Sequence, residues 1–160
     1  MQPIHSGFSR HVVIPAVYLV LVTDGRLLML RRANTGYRDG YYSLAAGHLD
    51  GGDSRTAAMV REAREEIGVE IDPADLILAH VAHTPAEAGD REPLERIDFY
   101  FLLQGYRGPI HNNEPRKCDD LSWFDLADLP PKTIPKVQTD LEAISKSALL
   151  SEPDWPAGPM

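Results

Sequence analysis

Gly47-His48-Leu49-Asp50-Gly51-Gly52-Asp53-Ser54 leads into Arg55-Thr56-Ala57-Ala58-Met59-Val60-Arg61-Glu62-Ala63-Arg64-Glu65-Glu66-Ile67-Gly68-Val69, and the reading of these 23 residues decides the fold. The second half is helical in period. At about 100° per residue, Thr56, Met59, Val60, Ala63 and Ile67 form one stripe, and Glu62, Glu65 and Glu66 share an arc of roughly 100° beside it. Asp53 and Ser54 are both good N-caps, and Gly68 stands where helices end in a left-handed residue. The spacing predicts a helix over 54–67, fed by a glycine-containing turn.

Three carboxylates at helical neighbour spacing repel one another by a few tenths of a kcal/mol per pair. Taken alone, the run reads equally as a solvated charged face or as a cradle for a hard cation. Oxygen donors suit Mg²⁺ and Mn²⁺, and Mg²⁺ is usually shared between a few carboxylates and substrate phosphates.

The whole stretch resembles the signature of the Nudix hydrolases. Gly47 takes the first glycine, Arg61-Glu62 the arginine–glutamate pair, Ala63 the aliphatic place, Glu65-Glu66 the paired glutamates, and Gly68-Val69 the end. The departure is Asp53, where the family has Glu. That residue pairs with the signature arginine, here Arg61, so the shorter Asp implies weaker support for it. Asp50 reads as a turn residue.

The resemblance implies an α/β/α sandwich around a mixed sheet and hydrolysis of a nucleoside diphosphate derivative. It implies Mg²⁺ or Mn²⁺ as cofactor, held by Glu62, Glu66 and the Gly47 carbonyl. Glu65 is then a ligand to a second ion or the general base, with Glu62 also in the catalytic set. Members often add a carboxylate from a distant loop. Glu114 is the candidate, ahead of Glu95, Asp119 and Asp120, and its plain reading is a solvated loop residue. Arg32 would face substrate phosphates or form a surface ion pair. Tyr37 would stack on a base or on its own loop, and His48 would contact phosphate or have no role. His80 and His83 fall on opposite faces of a strand and make a poor metal pair.

The rest of the chain agrees independently with an α/β fold. Residues 11–23 read as a strand interrupted near Pro15, since proline cannot donate to a ladder. Asp24-Gly25 is a hairpin turn. Strands are expected over 26–32, 41–45, 76–83, 96–103 and 121–124, with a loop over 34–40, a helical turn over 125–129 and a helix over 136–150. Three prolines in the last nine residues predict a frayed tail, so the expected layout is one domain over 1–150 and a flexible 151–160.

Composition narrows the partners. A 43% hydrophobic share over 160 residues excludes a disordered chain. No apolar run approaches the roughly 18 residues of a membrane helix, and no secretory signal is evident. The lone Cys118 fits a cytoplasmic protein without an internal disulfide. A net charge of -8 argues against nucleic-acid polymers, but not against a small nucleotide that brings its own cation. A nucleoside triphosphate, released as monophosphate and pyrophosphate, is the leading substrate. The alternatives are ADP-ribose or another nucleotide sugar, and a ligand sensor of the same family without catalysis. Sensors show eroded glutamates, and all three are intact here. Many relatives are homodimers.

Overall fold

The β-branched and aliphatic runs pair as strands, and the two helical stripes close over them. The computed structural model describes residues 10–87 and 93–156. In chain order the elements are β1 (Ile14–Val20), β2 (Val22–Thr23), β3 (Arg26–Arg32), β4 (Tyr42–Ser43), β5 (Ala45–His48), α1 (Arg55–Ile67), β6 (Leu76–Thr84), β7 (Arg96–Leu103), β8 (Cys118–Asp125), α2 (Pro135–Ser145) and β9 (Leu150–Ser151). This is an α/β fold, but the strands divide into two sheets rather than one. The first runs β5-β1-β7-β6-β9 and is mixed, with β1–β7 and β6–β9 parallel. The second places β3 beside β2, β4 and β8, all antiparallel.

Alternation along β1 and β7 sorts side chains onto two faces. Val17, Leu19 and Phe101 pack with Met59, Ala63 and Ile67 of α1. Val20, Tyr100 and Ala82 pack with Val137 and Leu141 of α2. The caps of α1 follow the sequence. Ser54 accepts the Ala57 N–H through its side chain, and Gly68 turns left-handed at φ 74°. A Cβ at Gly68 would also overlap the His111 ring, so two constraints fall on one position.

Several expectations need correction. β1 runs through Pro15 without a break. Ile14 N–H donates to Glu95 on the β7 side, so Pro15 faces the β5 side, where its carbonyl accepts the Leu49 N–H at 3.1 Å just beyond the Ala16–His48 pair. The missing donor therefore costs only the reciprocal bond at the very end of the ladder. The helix expected over 136–150 stops at Ser145, because Ser147 turns left-handed (φ 56°) and reverses the chain. Leu150 and Ser151 then pair with Val81 and Ala82. Trp155 donates from Nε1 to the His83 carbonyl at 2.8 Å and packs on its ring. Residues 151–155, expected to be free, are thus docked. Of residues 125–129, expected as a helical turn, Asp125 ends β8 and residues 126–127 form a turn. Residues 88–92 and the last four residues of the expected tail lie outside the described residues.

Candidate active site

β5 is an edge strand of the first sheet, and the loop after it delivers α1 back across that edge. Gly47 faces α1, and a Cβ there would overlap the Glu62 carboxyl. The glycine is needed for close approach. One residue earlier, the Ala46 N–H donates to Glu66 Oε2 at 2.9 Å. Burial above all, with the charges of Glu62 and Glu114 adding to it, pushes the Glu66 carboxyl up to about 8 against the opposing Ala46 hydrogen bond. Burial also raises Glu62, outweighing its bond from Arg61, with Glu65 and Glu114 adding repulsion.

Glu114 reaches this group because its loop is stitched to the last turn of α1. His111 N–H donates to the Ile67 carbonyl (3.1 Å), Asn113 N–H to Glu66 (3.0 Å), and the Asn113 side chain to Arg64 (3.2 Å). The first two satisfy carbonyls that a helix end leaves orphaned, and the third is a second bond to the Arg64 carbonyl, which already accepts the Gly68 N–H. Lys117 Nζ stands 3.1 Å from Glu114 Oε1.

Arg61 holds the other side. Its Nη1 is 2.6 Å from Glu62 and 3.6 Å from Glu65, while Nη2 donates to the His48 carbonyl at 3.1 Å. Its contacts to Asp53 are long, 3.3 and 3.4 Å, and Asp50 lies 3.5 Å away. Asp50 opens the turn as expected, its carbonyl accepting the Asp53 N–H at 3.0 Å, and its carboxylate shares the guanidinium with Asp53. Among the described residues, no three acidic, histidine or cysteine side chains converge as a ready cation cage. Glu62, Glu66 and Glu114 influence one another, with Arg61 and Lys117 as present partners. Glu65 is exposed on the next helical position.

Arg32 is occupied locally. It donates to the Tyr37 carbonyl (2.9 Å) and Thr35 Oγ1 (3.1 Å), and its guanidinium lies 5.5 Å from the Tyr37 ring centroid. It still acts on Glu66, lowering its proton affinity. Tyr37 also reaches Glu87 from its hydroxyl at 3.4 Å. The His48 ring meets Arg96 at 3.4 Å. His80 is buried and bonded to Ala148 and Ser151, away from the carboxylates.

Sequence reasoning missed the Ala46 amide, Lys117 and a buried ionic group. In that group Lys136 lies 2.5 Å from Asp98 and 2.9 Å from Asp140, and Arg96 lies 3.3 Å from Asp98. A backbone donor leaves no residue signal. The two aspartates were hidden inside strand and helix patterns, where they read as ordinary polar positions.

A profile of the NUDIX domain matches residues 12–144, most of the chain. The chain belongs to the Nudix family. Among curated relatives, the NAD-capped RNA hydrolase NudC of Stutzerimonas stutzeri (strain A1501) is 30% identical over 128 residues, covering 78% of this chain and 41% of that protein. NudC of Pseudomonas putida (strain W619) is 29% identical, covering 82% and 45%. The chain thus spans less than half the length of these curated relatives. In three dimensions it is similar to a MutT NUDIX hydrolase from Burkholderia pseudomallei, with a TM-score of 0.72 and 23% identity over 82% of this chain and 98% of that one. A MutT protein from Methanosarcina mazei Go1 superposes at 0.71 with 20% identity, covering 87% and 97%. These likenesses establish the Nudix fold. No helix among the described residues is long and apolar enough to cross a membrane.

Proposed function

We propose that this Nudix chain hydrolyses a phosphoanhydride bond in a nucleoside diphosphate derivative, with Mg²⁺ or Mn²⁺ as cofactor. The observation that carries the reading is the half-buried Glu66 carboxyl, held by the Ala46 amide and pressed by Glu62 and Glu114. A carboxylate raised to about 8 by burial and like charge is a group that a hard cation relieves. The donor set is all oxygen, as Mg²⁺ and Mn²⁺ require. Glu62, Glu66, Glu114 and the Gly47 carbonyl would hold the ion, with Arg61 and Lys117 turning away from the acids. A bound divalent ion supplies charge neutralisation for the diphosphate and acidifies a water.

The chain's own groups do the rest. Glu65, exposed beside the ligand pair, takes the proton of the attacking water. Arg32 presents donors toward the phosphates from the strand that also carries the Tyr37 loop. Asp53 and Asp50 orient Arg61, and Arg61 orients Glu62. His48 stands at the mouth of the same loop.

The leading substrate is a nucleoside triphosphate, split to monophosphate and pyrophosphate. A second reading is a dinucleotide or ADP-ribose-type diphosphate, favoured by the curated relatives, which are named for NAD-capped RNA. The net charge of -8 supports a free nucleotide over a polymer. We place the protein in the cytoplasm, on the lone buried cysteine. A homodimer remains part of the proposal.

The test is a panel of nucleoside triphosphates, ADP-ribose and NAD with Mg²⁺ and Mn²⁺, run in isotopically labelled water to find the phosphorus attacked. Turnover of one substrate class with label in a phosphate product supports the reading. Tight binding with no product from any substrate would instead make the protein a sensor.

A further inference from the structure

The sheet face opposite α1 carries a row of rings. Tyr18 on β1 and Tyr100 on β7 are paired in register, and their rings stack at 4.7 Å between centroids and 16° between planes. That separation is the spacing of neighbouring strands. His80, Tyr100's partner on β6, continues the row as a tilted ring at 5.9 Å. On its other side Tyr18 pairs with Ala46 of β5, the last strand of the sheet. The next rung of the row therefore holds only a methyl group. Tyr18 and Ala46 are both partly exposed.

The platform is braced from behind and partly exposed in front. Lys136 Nζ lies 5.3 Å from the Tyr18 centroid and 5.6 Å from that of Tyr100. Such near-equal distances place it over the shared rim of the pair. From the outer face of Tyr18, Tyr100 would be about twice as far away. Asp98 and Asp140, both fully buried, hold Lys136 at 2.5 and 2.9 Å. Tyr100 donates to Asp140 at 2.5 Å. Arg96, held by Asp98, donates to the Tyr18 hydroxyl at 3.4 Å and meets the His48 ring at 3.4 Å. Groups this fixed lose little freedom when a ligand arrives.

Ala46 joins the two halves of the site. Its amide holds Glu66, and its partly exposed methyl marks the rung beside Tyr18. A diphosphate at the carboxylates, lying along the outer edge of β5, brings its attached nucleoside to that rung. We infer that Tyr18 is the stacking platform for the nucleobase of the substrate, which occupies the rung over Ala46, and that Arg96 is the positioning residue at its rim. Arginine offers donors only, so it meets acceptor atoms on the base edge or the adjoining phosphate. Stacking of this kind tolerates different bases, since each has a π-face. The inference rests on the nucleotide reading above and deepens it.

Calorimetry with Mg²⁺ present, on the full chain, decides it. The titrants are nucleoside diphosphates and, as a base-free probe, inorganic pyrophosphate. Tyr18→Leu should weaken nucleoside diphosphate binding about 5- to 100-fold and leave pyrophosphate binding unchanged. Tyr18→Phe, which keeps the ring, should bind like the parent. Equal weakening of both ligands, no weakening of either, or a parent that binds nucleoside diphosphates no better than pyrophosphate would overturn the stacking role. Turnover is assayed separately. A parent that hydrolyses nothing sinks the hydrolase reading, while the calorimetric outcome still decides the stacking role.

Discussion

Glu66 carries its carboxyl into a half-buried place beside the Ala46 amide, and its proton affinity there is raised first by burial and then by the charges of Glu62 and Glu114. Its folded pKa of about 8 lies above the ordinary 4.5, so between those values the native chain keeps a proton that the unfolded chain has released. Stability without metal must therefore fall as pH rises through that window, by roughly 1–3 kcal/mol at its upper end. Glu66→Gln should flatten the fall, seen in denaturant melts at acid and alkaline pH with chelator present. The same variant should lose several orders of magnitude in turnover with the fold intact. Near-parent turnover would remove Glu66 from the ligand set. The spacing of the three glutamates and Gly47 was legible in the sequence because helix periodicity converts spacing into a shared face. Tyr18 was not legible. It differs from any strand aromatic only through its two cross-strand partners, and these lie 28 and 82 residues away along the chain.

At the level of elements, α1 and the 111–114 loop form one unit. The loop satisfies the orphaned carbonyls of the helix end, and in doing so it fixes Glu114. Asn113→Ala removes the side-chain bond to the Arg64 carbonyl, so it should cost about 1 kcal/mol of stability. It should also raise the Mg²⁺ concentration needed for half-maximal turnover, since Glu114 is left less firmly placed. An unchanged metal titration would show that the loop's position does not matter to the ion. The caps of α1 could be read in advance, because Ser54 and Gly68 have local mechanisms. The end of α2 could not. Apolar residues continue at helical spacing to Ala148, and only the left-handed turn at Ser147 breaks the run. The Pro15 expectation failed for a related reason. A proline harms a strand most in the middle of a ladder; Pro15 stands at the last bonded pair, and where a ladder ends is a property of the assembled sheet.

Across the whole molecule, residues 150–155 are tied to β6 at one margin of the first sheet. β9 pairs with β6, and Trp155 donates to the carbonyl of His83 in the same strand. Trp155→Ala should lower Tm by roughly 2–4 °C per kcal/mol lost, with a loss of about 1 kcal/mol expected. An unchanged melting curve would show that this tie contributes nothing. Composition could not reveal the docking, because proline-rich ends usually fray and the partner strand is some seventy positions earlier.

Arg61 has a wider consequence. Its guanidinium already sits among Asp50, Asp53, Glu62 and Glu65. The protein thus contains a resident counter-ion, and metal uptake is an exchange rather than the filling of a bare acid pit. Unlike small zinc domains, which unfold when stripped, this chain should keep its circular dichroism spectrum and a cooperative melt in excess EDTA. Its apparent metal affinity should also be modest, because every arriving ion must first displace a tethered cation.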